Sequence, residues 1–283
     1  MLRAGNPNEP LYYANLITYR KASLRVAEVF FDEKFGNRGN SDLDLIRHFY
    51  CSHPVPGARS TKIYTLWISL RQEPQSLLTN MSRATRAQLR QAAKENFKCE
   101  FSSAPTNEWT TQFFDFFDRF ADSMRLKRVN RRRLLALRKK NSLDLSRISS
   151  SEGKVLVWHA NIRRGEFAFC LYSSSLFRNH DRKMAAYIGR ANRLLHWQDI
   201  LRFRDEGVST YDFGGWYPGS QNEALLNVNR FKESFGGELV VQYNCDVPLT
   251  PKGALALWLR AAARSVTKVP DVPVNLGHET EVY

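Results

Sequence analysis

The stretch from Val208 to Asn244 constrains this chain more than any other. A strand-like run, Val208 to Phe213, ends in Gly214-Gly215. A helical stretch, Glu223 to Ser234, is stopped by Gly236-Gly237, and a second strand-like run, Glu238 to Asn244, follows at once. Glycine adopts backbone conformations closed to other residues, so each pair marks where an element must stop. Strand, helix and strand in such short order form one packed α/β unit, with the helix laid on a sheet face.

Upstream segments extend this unit. Lys154 to Ala160 and Glu166 to Tyr172 read as strands joined by a turn at Arg163-Arg-Gly165. A helix is expected from about Lys183 to Asp205, with Tyr187, Ala191, Leu194, Trp197 and Leu201 on its buried face and Gly207 as its cap. Gly253 to Ser265 reads as a last amphipathic helix before a Pro-rich tail. The order hairpin, helix, strand, helix, strand gives the fold class: α/β, a mixed sheet with a strand-helix-strand crossover.

Nearer the amino terminus, residues before Leu11 read as flexible and Leu16 to Phe31 as one or two strands. A turn is expected at Asn37 to Ser41, a short helix over Asp42 to Tyr50 and a strand over Ile63 to Leu70. A single helix should run from Gln75 or Met81 to Asn96. Trp109, Phe113, Phe116, Phe117 and Phe120 give the next helix a core stripe, and it runs on into the segment Arg125 to Lys140.

Charge is the chief compositional fact: 42 Lys and Arg against 28 Asp and Glu leave a formal +14, which favours polyanionic partners. Arg83, Arg86, Arg90, Lys94 and Lys98 share one helical stripe with no acid at i+4 to answer them. Arg131, Arg132 and Arg133, with Arg138-Lys-Lys140, form the densest positive region. Both stretches are candidate nucleic-acid contacts. A hydrophobic content of 43% excludes a disordered chain. The apolar runs are too short to cross a bilayer and no signal peptide is legible, so a cytoplasmic protein is expected. The 4 cysteines form no C-x-x-C pair; His48, Cys51 and His53 sit beside prolines and read as an irregular loop, so no metal site is expected.

Tyr211-Asp-Phe-Gly-Gly215 and Phe231-Lys-Glu-Ser-Phe-Gly-Gly237, taken together, resemble the FemABX aminoacyltransferases and their relatives in the GNAT superfamily. The helix containing Ala191-Asn-Arg-Leu-Leu-His-Trp197 and the strand Val240 to Tyr243 take the places such elements have in that group. So do the strand Thr65 to Leu70 and the helix Arg83 to Lys94, and the resemblance covers roughly Tyr64 to Asn244. It implies a GNAT-like acyltransferase fold and formation of an amide bond between an acyl donor and an acceptor amine. It also implies that Lys232 stabilises charge at the donor, and that Tyr211 or Asp212 assists proton transfer. Phe231, Trp197, Asn192, Arg190, Gly214 and Gly215 would line the substrates. The better-known FemABX enzymes have two complete GNAT-like domains. Here the expectation is a reduced first domain over 1–98, a complete one over 99–250, and a terminal helix and tail over 251–283.

GNAT acetyltransferases hold the coenzyme A pyrophosphate on a Gly-rich turn that opens the central helix. Ser173 to Tyr187 holds no glycine, and Gly189 already lies within the helix. The expected donor is therefore aminoacyl-tRNA, with acyl-CoA as the alternative and no metal or redox cofactor. The acceptor would be an amine of a peptide, cell-wall precursor or small metabolite. A different class, a non-catalytic nucleic-acid-binding protein on the same fold, also suits the basic helices.

Overall fold

The computed structural model describes residues 16–31, 42–177 and 181–267; the turn expected at 37–41, the leading segment and the Pro-rich tail lie outside them. In chain order the first strands are β1 (Leu16–Lys21), β2 (Leu24–Phe30), β3 (Leu45–Cys51) and β4 (Arg59–Ser69), followed by α1 (Pro74–Asn80) and α2 (Arg83–Ala92). Next come β5 (Lys98–Ser102), α3 (Asn107–Met124), α4 (Arg131–Lys139), β6 (Leu143–Ser149), β7 (Val155–Arg164) and β8 (Phe167–Ser175). The chain continues with α5 (Arg182–Asp205), β9 (Thr210–Gly215), α6 (Glu223–Glu233), β10 (Glu238–Pro248) and α7 (Pro251–Thr267). All the described strands belong to one mixed sheet ordered β1-β2-β3-β10-β4-β9-β8-β7-β6-β5.

The β7–β8 hairpin, the β8-α5-β9 crossover and the α6–β10 step follow the sequence pattern. Three other segments do not. Asp42 to Tyr50 is no helix: Leu45–Cys51 is the strand β3, parallel to β2 and antiparallel to β10. Every one of its residues is buried, and a strand covered on both faces loses the alternation that would reveal it. The helix expected from Gln75 or Met81 to Asn96 is two, the second beginning just past Met81. Met81 turns extended, Ser82 caps α2 by accepting from the Thr85 amide, and the Arg86 guanidinium covers the carbonyls of Thr79 and Met81 at 2.8 and 2.6 Å. The third is the basic stretch, where α3 stops at Arg125, whose φ of 54° is left-handed, and Asn130 starts α4 afresh.

The two faces of the sheet carry different helices. Leu66, Ile68, Ala168, Tyr211 and Phe213 pack with α1, α5 and the turn after α6, and Leu89 of α2 joins them. The alternate residues, among them Trp158, Ala160, Ile162 and Phe169, pack with Phe113, Phe117, Leu134 and Leu137 of α3 and α4. On that second face the sheet curls. β2 and β7 stand six strands apart, roughly 29 Å in a flat sheet. Yet Arg164 at the end of β7 donates to the carbonyl of Phe30 on β2, and Phe31 lies 4.8 Å from Phe167 ring to ring. The α3–α4 face is thus concave.

Residue 98 does not divide the sheet. β10, from the carboxyl-terminal part, lies between β3 and β4 from the amino-terminal part, antiparallel to both.

Candidate active site

Two parallel strands part at the centre of the sheet. β8 and β9 pair only over Phe167–Phe169 and Thr210–Asp212. Beyond that point β8 follows β7 as far as Ser175, and β9 follows β4, with Gly215 opposite Thr65. A bulge in β8 assists the parting: Tyr172 faces Ala160 and Cys170 faces Asn161, leaving Leu171 as the extra residue. Gly214, at φ +73°, sits so close that an added Cβ would lie 3.0 Å from the carbonyl oxygen of Cys170. The parting is a wedge at the carboxyl ends of parallel strands, where open α/β sheets place their ligands.

Helix α6 delivers Lys232 into this wedge. Asn222 caps the helix, and Asn229 clamps the preceding loop by accepting from the Tyr217 amide at 3.0 Å and donating to its carbonyl at 2.7 Å. Lys232 is 6% exposed, and its ammonium donates to the carbonyls of Gly214, at 3.2 Å, and Gly215. Burial lowers its pKa to about 8 against the pull of Cys170 and Asp212. Asp212 reaches Gly214 from the other side, accepting from its amide at 2.6 Å and from the Trp67 indole N–H at 2.8 Å. Its burial outweighs those bonds and lifts its pKa to about 7. An acid and a base are thus both held near neutrality at one strand end, an arrangement suited to moving protons and stabilising oxyanion charge.

Tyr211 and Asp212 are neighbours on a strand and point to opposite faces. Tyr211 is completely buried, its hydroxyl lies 3.1 Å from His196 Nδ1, and burial drives its pKa well above 10. Tyr211 is thus enclosed within the α5 face, while the Asp212 carboxyl, on the other face, makes no hydrogen bond to Lys232 and influences it through its charge. Phe231 lies beside the wedge, 5.6 Å from His196 and under the Arg193 guanidinium at 4.8 Å. Trp197 is buried in the α5 core, and Arg190 forms a bidentate pair with Glu95 at 2.6 and 3.0 Å. Neither lies among the groups that gather at Gly214 and Gly215.

A polar network beneath the wedge escapes the sequence reading. His159 of β7 places Nδ1 2.8 Å from Asp199 Oδ2 and Nε2 2.9 Å from Asn192 Oδ1. Ser146 also donates to Asp199, and Ser173, exposed at the mouth, donates to Asn192. The His159 and His196 rings lie 4.0 Å apart. Desolvation first, and then the charge of its neighbours, pushes the His196 pKa well below 6.5. Asn192, His196 and Asp199 recur at steps of four and three, so they share one face of α5. A polar stripe inside a buried helical face is the signal that marks them.

The expected nucleic-acid residues separate. Arg83 and Arg90 are exposed on α2, and Lys94 is exposed in the turn that follows it. Arg86 is spent on the α1 carbonyls. Arg133 is no surface contact: it is 7% exposed and grips the fully buried Glu28 at 2.6 and 2.7 Å. Arg131 pairs with Asp118 at 2.7 Å, and Arg132 is exposed with one bond to the Arg20 carbonyl at 3.3 Å. Because α2 and α4 cover opposite faces of the sheet, the two basic stretches do not form one continuous track.

A cavity of about 430 Å³ opens at the other ends of β4 and β9, lined by Trp67, Ser69, Gln72, Asn80, Thr210 and Glu238. It lies away from the parting, and its walls offer no counterpart to the Lys232–Asp212 pair. Among the described residues no group of three or more His, Cys, Asp or Glu side chains could hold a metal ion. None of their helices is long and apolar enough to cross a membrane.

No family model and no curated protein matches the chain. Solved structures do. A crystal structure of FemX superposes with a TM-score of 0.63 at 13% identity, covering 86% of this chain and 85% of that one. The C-terminal domain (DUF2156) of a putative lysylphosphatidylglycerol synthetase from Agrobacterium fabrum gives 0.55 at 14% identity, over 88% and 85%. L-PGS from Bacillus licheniformis gives 0.51 at 12%, over 86% and 84%. At such identities the likeness establishes the fold alone: the chain has the fold of FemX, in line with the FemABX-type fold expected from the motifs at 211–215 and 231–237.

Proposed function

We propose that this acyltransferase fold moves an aminoacyl group from aminoacyl-tRNA onto an amine of a peptide, cell-wall precursor or small metabolite. One observation carries the reading: β8 and β9 part at Phe169 and Asp212, and α6 inserts the Lys232 ammonium at the opening beside a carboxyl near neutrality. The acyl ester enters the wedge and the acceptor amine attacks its carbonyl carbon. Lys232 stabilises the oxyanion that forms, in a site where water is excluded and a fixed charge counts for more than in solvent. Asp212 takes the amine proton as the amide C–N bond forms and returns it to the ribose oxygen as the ester C–O bond breaks, so that the ribose leaves as a hydroxyl.

The choice of donor rests on the start of α5. Asp181 places its own carboxylate on the Met184 amide at 2.8 Å. The segment before it has no glycine to form a phosphate cradle, so an acid stands where coenzyme A would need free amides. The exposed cations of α2, by contrast, suit a nucleic-acid backbone.

Radiolabelled amino acid on tRNA, incubated with the purified protein and an amine pool, should be recovered in amide linkage. Lys232→Ala should lower the single-turnover rate by about 10²- to 10³-fold, the usual effect of removing one oxyanion donor. Full activity in that variant, or transfer from acyl-CoA and not from charged tRNA, would overturn the proposal.

A further inference from the structure

The last helix presents its apolar side to solvent. Leu255, Trp258 and Leu259 of α7 are 56%, 65% and 53% exposed, and Ala262 continues the stripe at helical spacing. This orientation is fixed by the opposite side of the helix. Gly253 packs so tightly that an added Cβ would lie 2.0 Å from the Asp44 carbonyl oxygen. Leu257 is buried with Val26 and Leu45, and its carbonyl accepts from Arg59 at 3.3 Å. Thr250 ties the start of the helix to Asp44 at 2.9 Å. A docked helix with a large tryptophan pointing outward marks an interaction surface.

Its charge indicates the partner. Between Pro251 and Thr267 the helix carries Lys252, Arg260 and Arg264 and no acid. Asp246 pairs with Arg260 at 3.4 Å and also with Arg47 at 3.0 Å. Leu257 packs over β2 and β3 with Tyr19 of β1, and α4 covers β1 on the same concave face. On that face α4, which carries no acid, exposes Arg132 and Lys139 beside an outward leucine, Leu135, 46% exposed, while Arg133 is spent on Glu28 and Arg131 on Asp118. An apolar stripe with an indole, set among cations, is the composition of a helix lying in the plane of an anionic lipid surface.

We infer that α7, supported by α4, docks the protein on an anionic bilayer, with Trp258 and Leu255 entering the headgroup and acyl boundary. The inference does not depend on the proposed chemistry, since the surface lies on the face opposite α2 and binding is measured without turnover.

Flotation of the full chain with phosphatidylcholine vesicles, with and without phosphatidylglycerol, tests it. The protein should float with the anionic vesicles, at least tenfold less with neutral ones, and progressively less as salt rises. Trp258→Glu and, separately, Leu255→Gln should each reduce binding about tenfold or more while the melting temperature stays unchanged, since both side chains are exposed. Failure of the unsubstituted chain to float with anionic vesicles would overturn the inference, as would unchanged binding in both variants. So would a dimer in solution that Trp258→Glu converts to monomer, which makes the stripe a self-contact. Loss of RNA binding in the same variants, with vesicle binding retained, would assign the surface to nucleic acid instead.

Discussion

At the scale of single residues the proposed site turns on two buried groups that both bond to Gly214. Asp212 must lose its proton to act as a base, and Lys232 must keep its proton to meet an oxyanion. The transfer rate should therefore rise as pH approaches about 7 and fall again above about 8. The two apparent values belong to the pair, because each charge stabilises the other. Asp212→Asn should abolish the lower limb and move the upper limb to lower pH, since the lost carboxylate no longer favours the ammonium. Single-turnover transfer across pH, with spontaneous ester hydrolysis subtracted, measures this. A profile whose limbs are unmoved in Asp212→Asn would remove Asp212 from the mechanism. Sequence reading singles out both residues through their motifs. His159 and Asp199 escaped it because their partners come together across 40 residues of chain.

Among elements, the joints carry the most information. Gly237 has φ +99°, and an added Cβ would lie 2.4 Å from the Trp67 carbonyl oxygen, so the start of β10 can lie against β4 only without a side chain. Gly207 has a similar φ of +83° with nothing within 4 Å. Gly207→Ala should cost about 1 kcal/mol, the strain of the left-handed region by itself. Gly237→Ala should cost at least about 2 kcal/mol, because backbone must shift as well. Urea unfolding of the two variants compares them, and equal costs would show that the close approach is relieved freely. The break between α1 and α2 was not legible in periodicity, since apolar spacing continues across Met81 while Arg86 and Ser82 make the joint.

For the whole molecule, the interleaving of β10 decides what can fold alone. It contributes one strand from the carboxyl-terminal part to a position whose two neighbours are both amino-terminal. A fragment beginning at residue 99 leaves both edges of β10 unpaired, and exposed edges aggregate. We expect residues 99–283 to be insoluble when expressed alone and to be recovered in soluble form when residues 1–98 are co-expressed. A fragment that gives a cooperative thermal transition by itself would show that residues 99–250 are an independent domain after all.

What the sequence determined by itself was local: the β7–β8 hairpin, the long helix α5, the glycine-stopped β9 and α6, and Lys232 at the end of that helix. Their signals, periodicity and glycine punctuation, lie within a few residues of one another. Tertiary structure alone decided which charges remain available. Arg133 and Arg132 are adjacent and alike in sequence, yet one is buried on Glu28, 105 residues away, and the other faces solvent. It also decided that β3 is a strand and that β10 separates it from β4. Strand pairing and burial are set by segments distant in the chain, and nothing in the local spacing of side chains records which segment will arrive.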